Sequence, residues 1–398
     1  MVKKIKYSPY QIYVFLLLVT WNRETIFQYI KSIVWRIPYI SYGTNLFVFT
    51  LFLFLTLGAW SYMKTRIKFF DIFLYLTFVF IYIISILIEI DSSDYLINNM
   101  YTILIQIVPT YFIGLCINDN DIKMFKLLHI TSIISIYMHL ISTLFLNISV
   151  SQMNDAMDLA YRIQPHVLMV GYFYLKEKKK IDLISLLIGM LSLIWFGSRG
   201  AFILTILYLI FFDLFFNKHR YNFLYYSLVF ISIFIVSMNS KKFFIYIRNI
   251  LMSFGIKTRI FDRIIEQTFF SSVGRTVIKD ELYGSLSQKP FFGFGIAGDR
   301  PICYKVQEVY AHNLFLELFV SYGLIIGGIL LFLIFTILFK ALYLSNKTRI
   351  GDFILILIFS SGFLKLFLSS SYLLEYEFFF LLGICVSVIR KKRYKKVI

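Results

Sequence analysis

Charge is what this chain has least of. Asp, Glu, Lys and Arg make up 16% of its 398 residues, and apolar residues make up 59%. Soluble domains carry about 25% and about 45–50% respectively. A water-soluble globular enzyme is therefore excluded. In lipid an apolar run of about 20 residues has to close its own backbone hydrogen bonds as a helix, which predicts an all-α polytopic membrane protein. Cysteine is scarce too. Cys116, Cys303 and Cys385 are scattered, with no metal-ligand spacing and no implied disulfide framework. No His-Glu-x-x-His or paired cysteines mark a metal, and no cofactor is expected. A Walker-type phosphate loop is missing, so ATP-driven transport is not indicated. The start, Met1-Val2-Lys3-Lys4-Ile5-Lys6, is basic, but no small-residue cleavage site follows the first apolar run. No cleavable signal is expected. No internal repeat of fixed period is visible.

The net charge of +18 does not point to nucleic acid. Most cations form short clusters between apolar runs, where they orient helices. Twelve spans are predicted, at roughly 9–21, 44–62, 69–90, 101–117, 127–147, 160–175, 181–197, 201–216, 221–239, 313–339, 352–370 and 373–390. With the N-terminus inside and the spans alternating, the inside connections hold 23 Lys and Arg, whereas the short outside connections hold only Arg23, Lys31, Arg36 and Arg199. That asymmetry places both termini in the cytoplasm. Residues 1–239 then form a first bundle of about nine helices, and 312–398 hold the last three helices and a basic tail. Between them, 240–311 form a large extracytoplasmic loop. Positive charge does not contradict that placement, because loops of this length are exempt from the rule.

This loop holds 11 Lys and Arg against six Asp and Glu over 72 residues. Lys242 to Phe254 and Thr258 to Phe269 mix apolar and basic residues at helical spacing. They suit either the lipid interface or surface helices packed on the bundle. The loop leads into Tyr310-Ala311-His312-Asn313-Leu314-Phe315-Leu316-Glu317, at the start of an apolar run. His312 is a candidate proton acceptor, since an unperturbed imidazole titrates at about 6.5. Asn313 suits a helix N-cap, and Glu317 falls on roughly the same helical face. Arg275, in Ser271-Ser272-Val273-Gly274-Arg275-Thr276, precedes a predicted helix at 277–286 and could meet an anion there. Pro290-Phe291-Phe292-Gly293-Phe294-Gly295 reads as a turn presenting backbone and aromatic faces. Arg199, in Phe196-Gly197-Ser198-Arg199-Gly200-Ala201, is either an interfacial anchor that snorkels to water or a ligand for an anion. The second is preferred, because a membrane-edge Arg is costly and usually has an anionic partner. For Arg162, in Ala160-Tyr161-Arg162-Ile163-Gln164-Pro165-His166, a packing role and a ligand role are equally open. Pro165 is expected to break its helix. Asp119-Asn120-Asp121 matches the Asp-x-Asp of metal-dependent sugar transferases but falls in a short inside connection, where a solvated turn is the simpler reading.

Together these segments resemble the O-antigen ligase and polymerase superfamily of bacterial envelope enzymes, the Wzy-type polymerases and their lipopolysaccharide-ligase relatives. The resemblance rests on Ser198-Arg199-Gly200, the 240–311 loop, the Pro290–Gly295 turn, His312-Asn313 with Gly323 and Gly327, and Arg275 and Arg162. His166 stands where that family usually has Asn. The resemblance implies a metal-independent glycosyltransferase of the bacterial inner membrane, working on its outer face. It would join oligosaccharide repeat units carried on undecaprenyl diphosphate into O-antigen or capsular polysaccharide. Arg199 and Arg275, with Arg162 supporting, would hold the diphosphate. His312 would be the base, with Glu317 in reserve, and Asn313, Gly293 and Gly295 would contact substrate. Membrane lipids and a chain-length regulator are implied partners. A ligase that transfers the glycan to the lipid A core is the near alternative. A transporter of lipid-linked sugars is the alternative from another class. Against it, apart from Lys365 the span centres hold few charges and the polar cluster lies at one face.

Overall fold

A computed structural model describes residues 8–23, 25–26, 40–117, 122–145, 153–196, 198–216, 275–306 and 308–395, with scattered positions between 245 and 265. Among the described residues every regular element is a helix. They are α1 (Pro9–Trp21), α2 (Ile40–Met63), α3 (Phe69–Ile88), α4 (Ile90–Tyr101), α5 (Thr110–Leu115), α6 (Ile122–Phe145), α7 (Met153–Glu177), α8 (Lys180–Trp195) and α9 (Arg199–Phe216). After these come α10 (Arg275–Gln288), α11 (Arg300–Lys305), α12 (Leu314–Leu344), α13 (Arg349–Phe359) and α14 (Tyr376–Lys395).

Five described stretches are long and apolar enough to cross a membrane: Phe69–Ile88, Asp91–Leu115, Ile122–Ile141, Leu314–Leu344 and Arg349–Phe367. In Phe69–Ile88 only 17% of the apolar window is buried, and Phe69, Phe73, Leu87 and Ile88 lie on its outside. Helices whose apolar side chains face outward suit lipid, not water. The helix bounds follow the apolar runs closely, with three departures. The stretch 91–100, expected to be a connection, is α4, which runs into a π-helical turn at Thr102–Ile107. Pro109 explains that turn. It cannot donate to the carbonyl four residues back, so the ladder slips and the Val108 N–H reaches Ile103 O at 3.0 Å. The expected span at 352–370 is α13 followed by turns and a 3₁₀ turn at Leu364–Phe367. Finally, α7 runs unbroken through Pro165. The expected span at 221–239, Asp119 to Asp121 and most of 240–274 lie outside the described residues.

The chain forms two compact units. One comprises Met1–Trp21, Asn45–Ile122 and Ser272–Ile398, the other Asn22–Thr44 and Lys123–Ser271. In the first unit α5 and α14 cross backbone to backbone: a Cβ on Gly114 would meet the Phe380 carbonyl, and one on Gly383 the Tyr111 carbonyl. Small residues permit such approach in membranes, where packing rather than a hydrophobic force joins helices. Asp71, fully buried, accepts both guanidinium nitrogens of Arg390 at 2.6 Å and the Lys68 N–H at 2.8 Å, joining the end of α14 to the start of α3. In the second unit Ile163, Val167 and Val170 of α7 pack on Leu186 and Leu193 of α8 and on Ala201 of α9.

Candidate active site

The Pro290–Gly295 turn and Gly323 of α12 are parts of one structure. Gly323 has φ 74° and ψ 171° inside α12, which breaks the helical ladder there. The turn repairs the break. Leu324 N–H donates to Pro290 O at 2.7 Å, and Phe294 N–H donates to Val320 O at 2.8 Å. Only glycine fits on either side. Gly293 has φ 65°, and a Cβ there would lie 2.6 Å from Gly323 N. A Cβ on Gly323 would collide with the Phe291 carbonyl. Gly295 backs onto Glu89, where an added Cβ would come within 2.9 Å of its Cγ. The backbone demands at Gly293 and Gly295 are thus set by packing.

Beside the turn lies a buried ionic cluster. Arg300, Asp299 and Glu317 are all 0% exposed. The Arg300 guanidinium donates to Asp299, to Glu317 Oε1 at 3.0 Å and to Ser371 Oγ at 2.6 Å. It also lies over the rings of Tyr95 and Tyr310, at 4.9 and 5.6 Å from their centroids. Burial alone would push the Arg300 pKa down, but the charges of Asp299 and Glu317 more than offset this and hold it well above the ordinary arginine value. The Glu317 carboxylate also accepts from Ser371 Oγ and, at 3.2 Å, from Tyr372 N–H. Asp299 and Arg300 read in the sequence as members of a basic, solvated loop, and the structure places them in the interior instead. No local pattern distinguishes Arg300 from its neighbours. The nearest signal is Ser369-Ser370-Ser371, a hydroxyl run inside an apolar stretch.

This cluster holds the turn that carries His312. Asp299 accepts the Ala311 N–H at 3.0 Å, and Tyr310 OH donates to Ser369 O at 3.1 Å. Asn313 caps α12, its Oδ1 accepting from Phe315 N–H at 3.0 Å and Leu316 N–H at 3.2 Å. Between these fixed points His312 adopts φ 51°, a left-handed backbone uncommon outside glycine. Its ring packs on Tyr310 at 4.3 Å, and Nε2 lies 3.3 Å from Glu308 Oε2. A carboxylate at that distance can fix the imidazole tautomer. The His312 side chain is 17% exposed, so it sits at a surface rather than in the core.

Two of the other predicted residues lie at helix starts. Arg275 is the first residue of α10. Arg199 is the first residue of α9, half-buried, and Ser198 caps that helix by accepting the Ala201 N–H at 3.3 Å. Arg162 lies inside α7 rather than at its end and pairs with Asp158, one turn before it. Two residues on, Gln164 donates to Ala201 O at 3.1 Å, so the Arg162 and Ser198-Arg199-Gly200 segments meet within the second unit. Beneath them is a polar interior. His166 Nδ1 and Ser132 Oγ are 3.3 Å apart, His139 and Thr25 3.2 Å, and Ser135 donates to Asn22 at 2.7 Å. Buried polar side chains at membrane depth are expensive and are retained when paired in this way.

Residues 184–333 match the family model described as O-Antigen ligase. That match, over less than half of the chain, supports the O-antigen ligase and polymerase superfamily. No curated protein and no solved structure is significantly similar to it. The matched segment holds Arg199, Arg275, the Pro290–Gly295 turn, the Arg300 cluster up to Glu317, His312 and Asn313, and Gly323. Arg162 lies before it. The same match supports a polysaccharide-related membrane enzyme.

Proposed function

We propose that this chain is a polymerase of that superfamily. It would join oligosaccharide repeat units carried on undecaprenyl diphosphate, at the outer face of the bacterial inner membrane. One observation carries the reading: Arg199 and Arg275 each open a helix, and His312 stands in a left-handed turn immediately before a third. A helix N-terminus favours anions through its free N–H groups and dipole, and it disfavours a cation. An arginine kept at that position is compatible with an anionic ligand, which it can grip with two parallel hydrogen bonds. The reaction has such a ligand, since the bond broken lies between the anomeric carbon and the lipid diphosphate.

In this mechanism an acceptor hydroxyl attacks the anomeric carbon from the face opposite the diphosphate and inverts the centre. Arg199 and Arg275, with Arg162 supporting, stabilise the negative charge that develops on the departing diphosphate. His312 takes the hydroxyl proton, and Glu308 steadies the imidazolium that results. Asn313 has its oxygen committed to the cap, so its Nδ2 is the group left for substrate. Glu317 works from behind, through Arg300, and Gly293 and Gly295 let the turn approach the site. The twelve spans, the cytoplasmic termini and a chain-length regulator as partner belong to the same reading.

The test is His312→Ala in purified enzyme supplied with lipid-linked repeat units. Turnover is expected to fall about 10²–10⁴-fold, typical of losing a general base, while the donor still binds. The wild type should lose rate toward acid, because the imidazolium cannot accept a proton, and the variant should lack that limb. Near-normal turnover, or lost donor binding, would remove His312 from the base role. Supplying lipid A core as the acceptor in the same assay tells polymerase from ligase.

A further inference from the structure

A second place near the turn is shaped to receive a ligand. The end of α3 and the turn enclose a cleft of about 570 Å³, lined by Ser85, Ile88, Glu89, Lys289, Phe291 and Phe292 among others. That volume falls within the roughly 300–1,000 Å³ of small-molecule pockets. Its walls are fixed, since Ile296 N–H donates to Ser85 Oγ at 3.3 Å and Gly295 sits against Glu89. Glu89 stands at the break between α3 and α4. Its carboxylate makes no hydrogen bond or ion pair among the described residues. Lys289, although on the same rim, lies over the Phe294 ring at 4.6 Å. Phe292 is 84% exposed and Phe291 59%.

We infer that this cleft is a carbohydrate subsite, taking a neutral sugar of the acceptor glycan; the inference rests on the polymerase reading above. An unpaired, half-buried carboxylate in the lining repels phosphate. A lipid tail laid over it would be costly, because the tail would strip the carboxylate of its remaining hydration and offer no partner. A sugar satisfies both kinds of lining. Its hydroxyls donate to the Glu89 carboxylate, and its C–H face lies on a phenyl ring. Gln288, at the end of α10 on the same wall, adds an amide that can both donate and accept. The subsite would hold the acceptor and leave its attacking hydroxyl free, so it bears on affinity rather than on bond-making.

The experiment uses the full chain in lipid nanodiscs. The probe is the lipid-free repeat oligosaccharide released by mild acid from the host's lipid-linked intermediate, with contact read by saturation-transfer NMR. The wild type should bind the oligosaccharide, Glu89→Gln should weaken it about tenfold, and Phe292→Ala should weaken it severalfold, all with unchanged melting. Should Glu89→Gln fail to fold, Phe292→Ala decides, since its ring has no core to support. Three results overturn the proposal: no contact in the wild type at millimolar oligosaccharide, equal binding in the variants, or displacement by sugar-free polyprenyl phosphate, which would make the cleft a lipid groove. Polymer synthesis is measured alongside. A wild type that binds the oligosaccharide through Glu89 but makes no polymer sinks the polymerase reading and leaves the subsite standing. Normal synthesis with unchanged binding in Glu89→Gln sinks the subsite alone.

Discussion

Replacing Arg300 by methionine removes the one cation from a site with two buried carboxylates. Methionine keeps most of the volume, so the loss is electrostatic. The guanidinium donates to Asp299, Glu317 and Ser371, and without it Asp299 and Glu317 face each other with no counter-ion. Breaking a buried pair from one side costs about 3–5 kcal/mol, because the remaining charge stays desolvated. Arg300→Met should therefore lower unfolding free energy by about that much in denaturant titrations at fixed detergent. Lys305→Met, on the same short helix but exposed, should stay within about 0.5 kcal/mol of wild type. Glu317→Gln alone should also destabilise. The double variant should lose less than the sum of the two singles, by about 1–3 kcal/mol, since one interaction cannot be lost twice. Arg300 keeps its charge into strong alkali, because its pKa is held above the ordinary value. The effect of Arg300→Met should grow from pH 7 to pH 9, because two facing carboxylates without a counter-ion are relieved by proton uptake, which rising pH opposes. Wild-type stability of Arg300→Met, or strict additivity in the double variant, would refute the clamp.

Three further outcomes are expected. Gly323→Ala should fail to accumulate as folded protein, because φ 74° strains alanine and its Cβ collides with the turn, whereas Gly328→Ala, with nothing within 4 Å, should match wild type or gain up to about 1 kcal/mol; fluorescence-detected size exclusion reads both. Arg199→Lys should lose most polymer formation in a complemented deletion strain, since a point charge cannot make paired bonds to a diphosphate. Full laddering would reduce Arg199 to an anchor. A reporter fused after Asp299 should be active outside the cytoplasm and one after Lys347 inside, and a cytoplasmic Asp299 would overturn the proposed topology.

Much of the helical layout is legible in the apolar runs, because in lipid the backbone leaves few alternatives. The start of α12 at Leu314 is legible for a second reason, Asn313 being a cap by type. What is hidden is whatever depends on a distant partner. Asp91-Ser92-Ser93-Asp94 looks like a connection, yet it lies in α4, which packs on α3 and reaches α11 through Tyr95 and Arg300. Arg300 reads as one more loop cation until Ser371, 71 residues on, supplies an environment that can bury it. Glu317 shares the face of His312 by spacing, but its carboxylate is turned to Arg300 by the same long-range contacts. The motif glycines are conspicuous in the sequence, but that Gly293 and Gly323 touch is a fact about two segments at once.

That contact bears on how the enzyme can move. Peeling the turn from α12 would strip partners from the Leu324 N–H and the Val320 carbonyl. Both groups would then face apolar surroundings, where an unsatisfied backbone group costs several kcal/mol. Residues 290–294 are therefore bound to travel with α12 as one stiff piece. In the proposed polymerase, whatever gate admits a lipid-linked substrate and lets the lengthened glycan leave has its hinge elsewhere, and the rate of its opening should be indifferent to substitutions along the clasp that leave these two bonds in place.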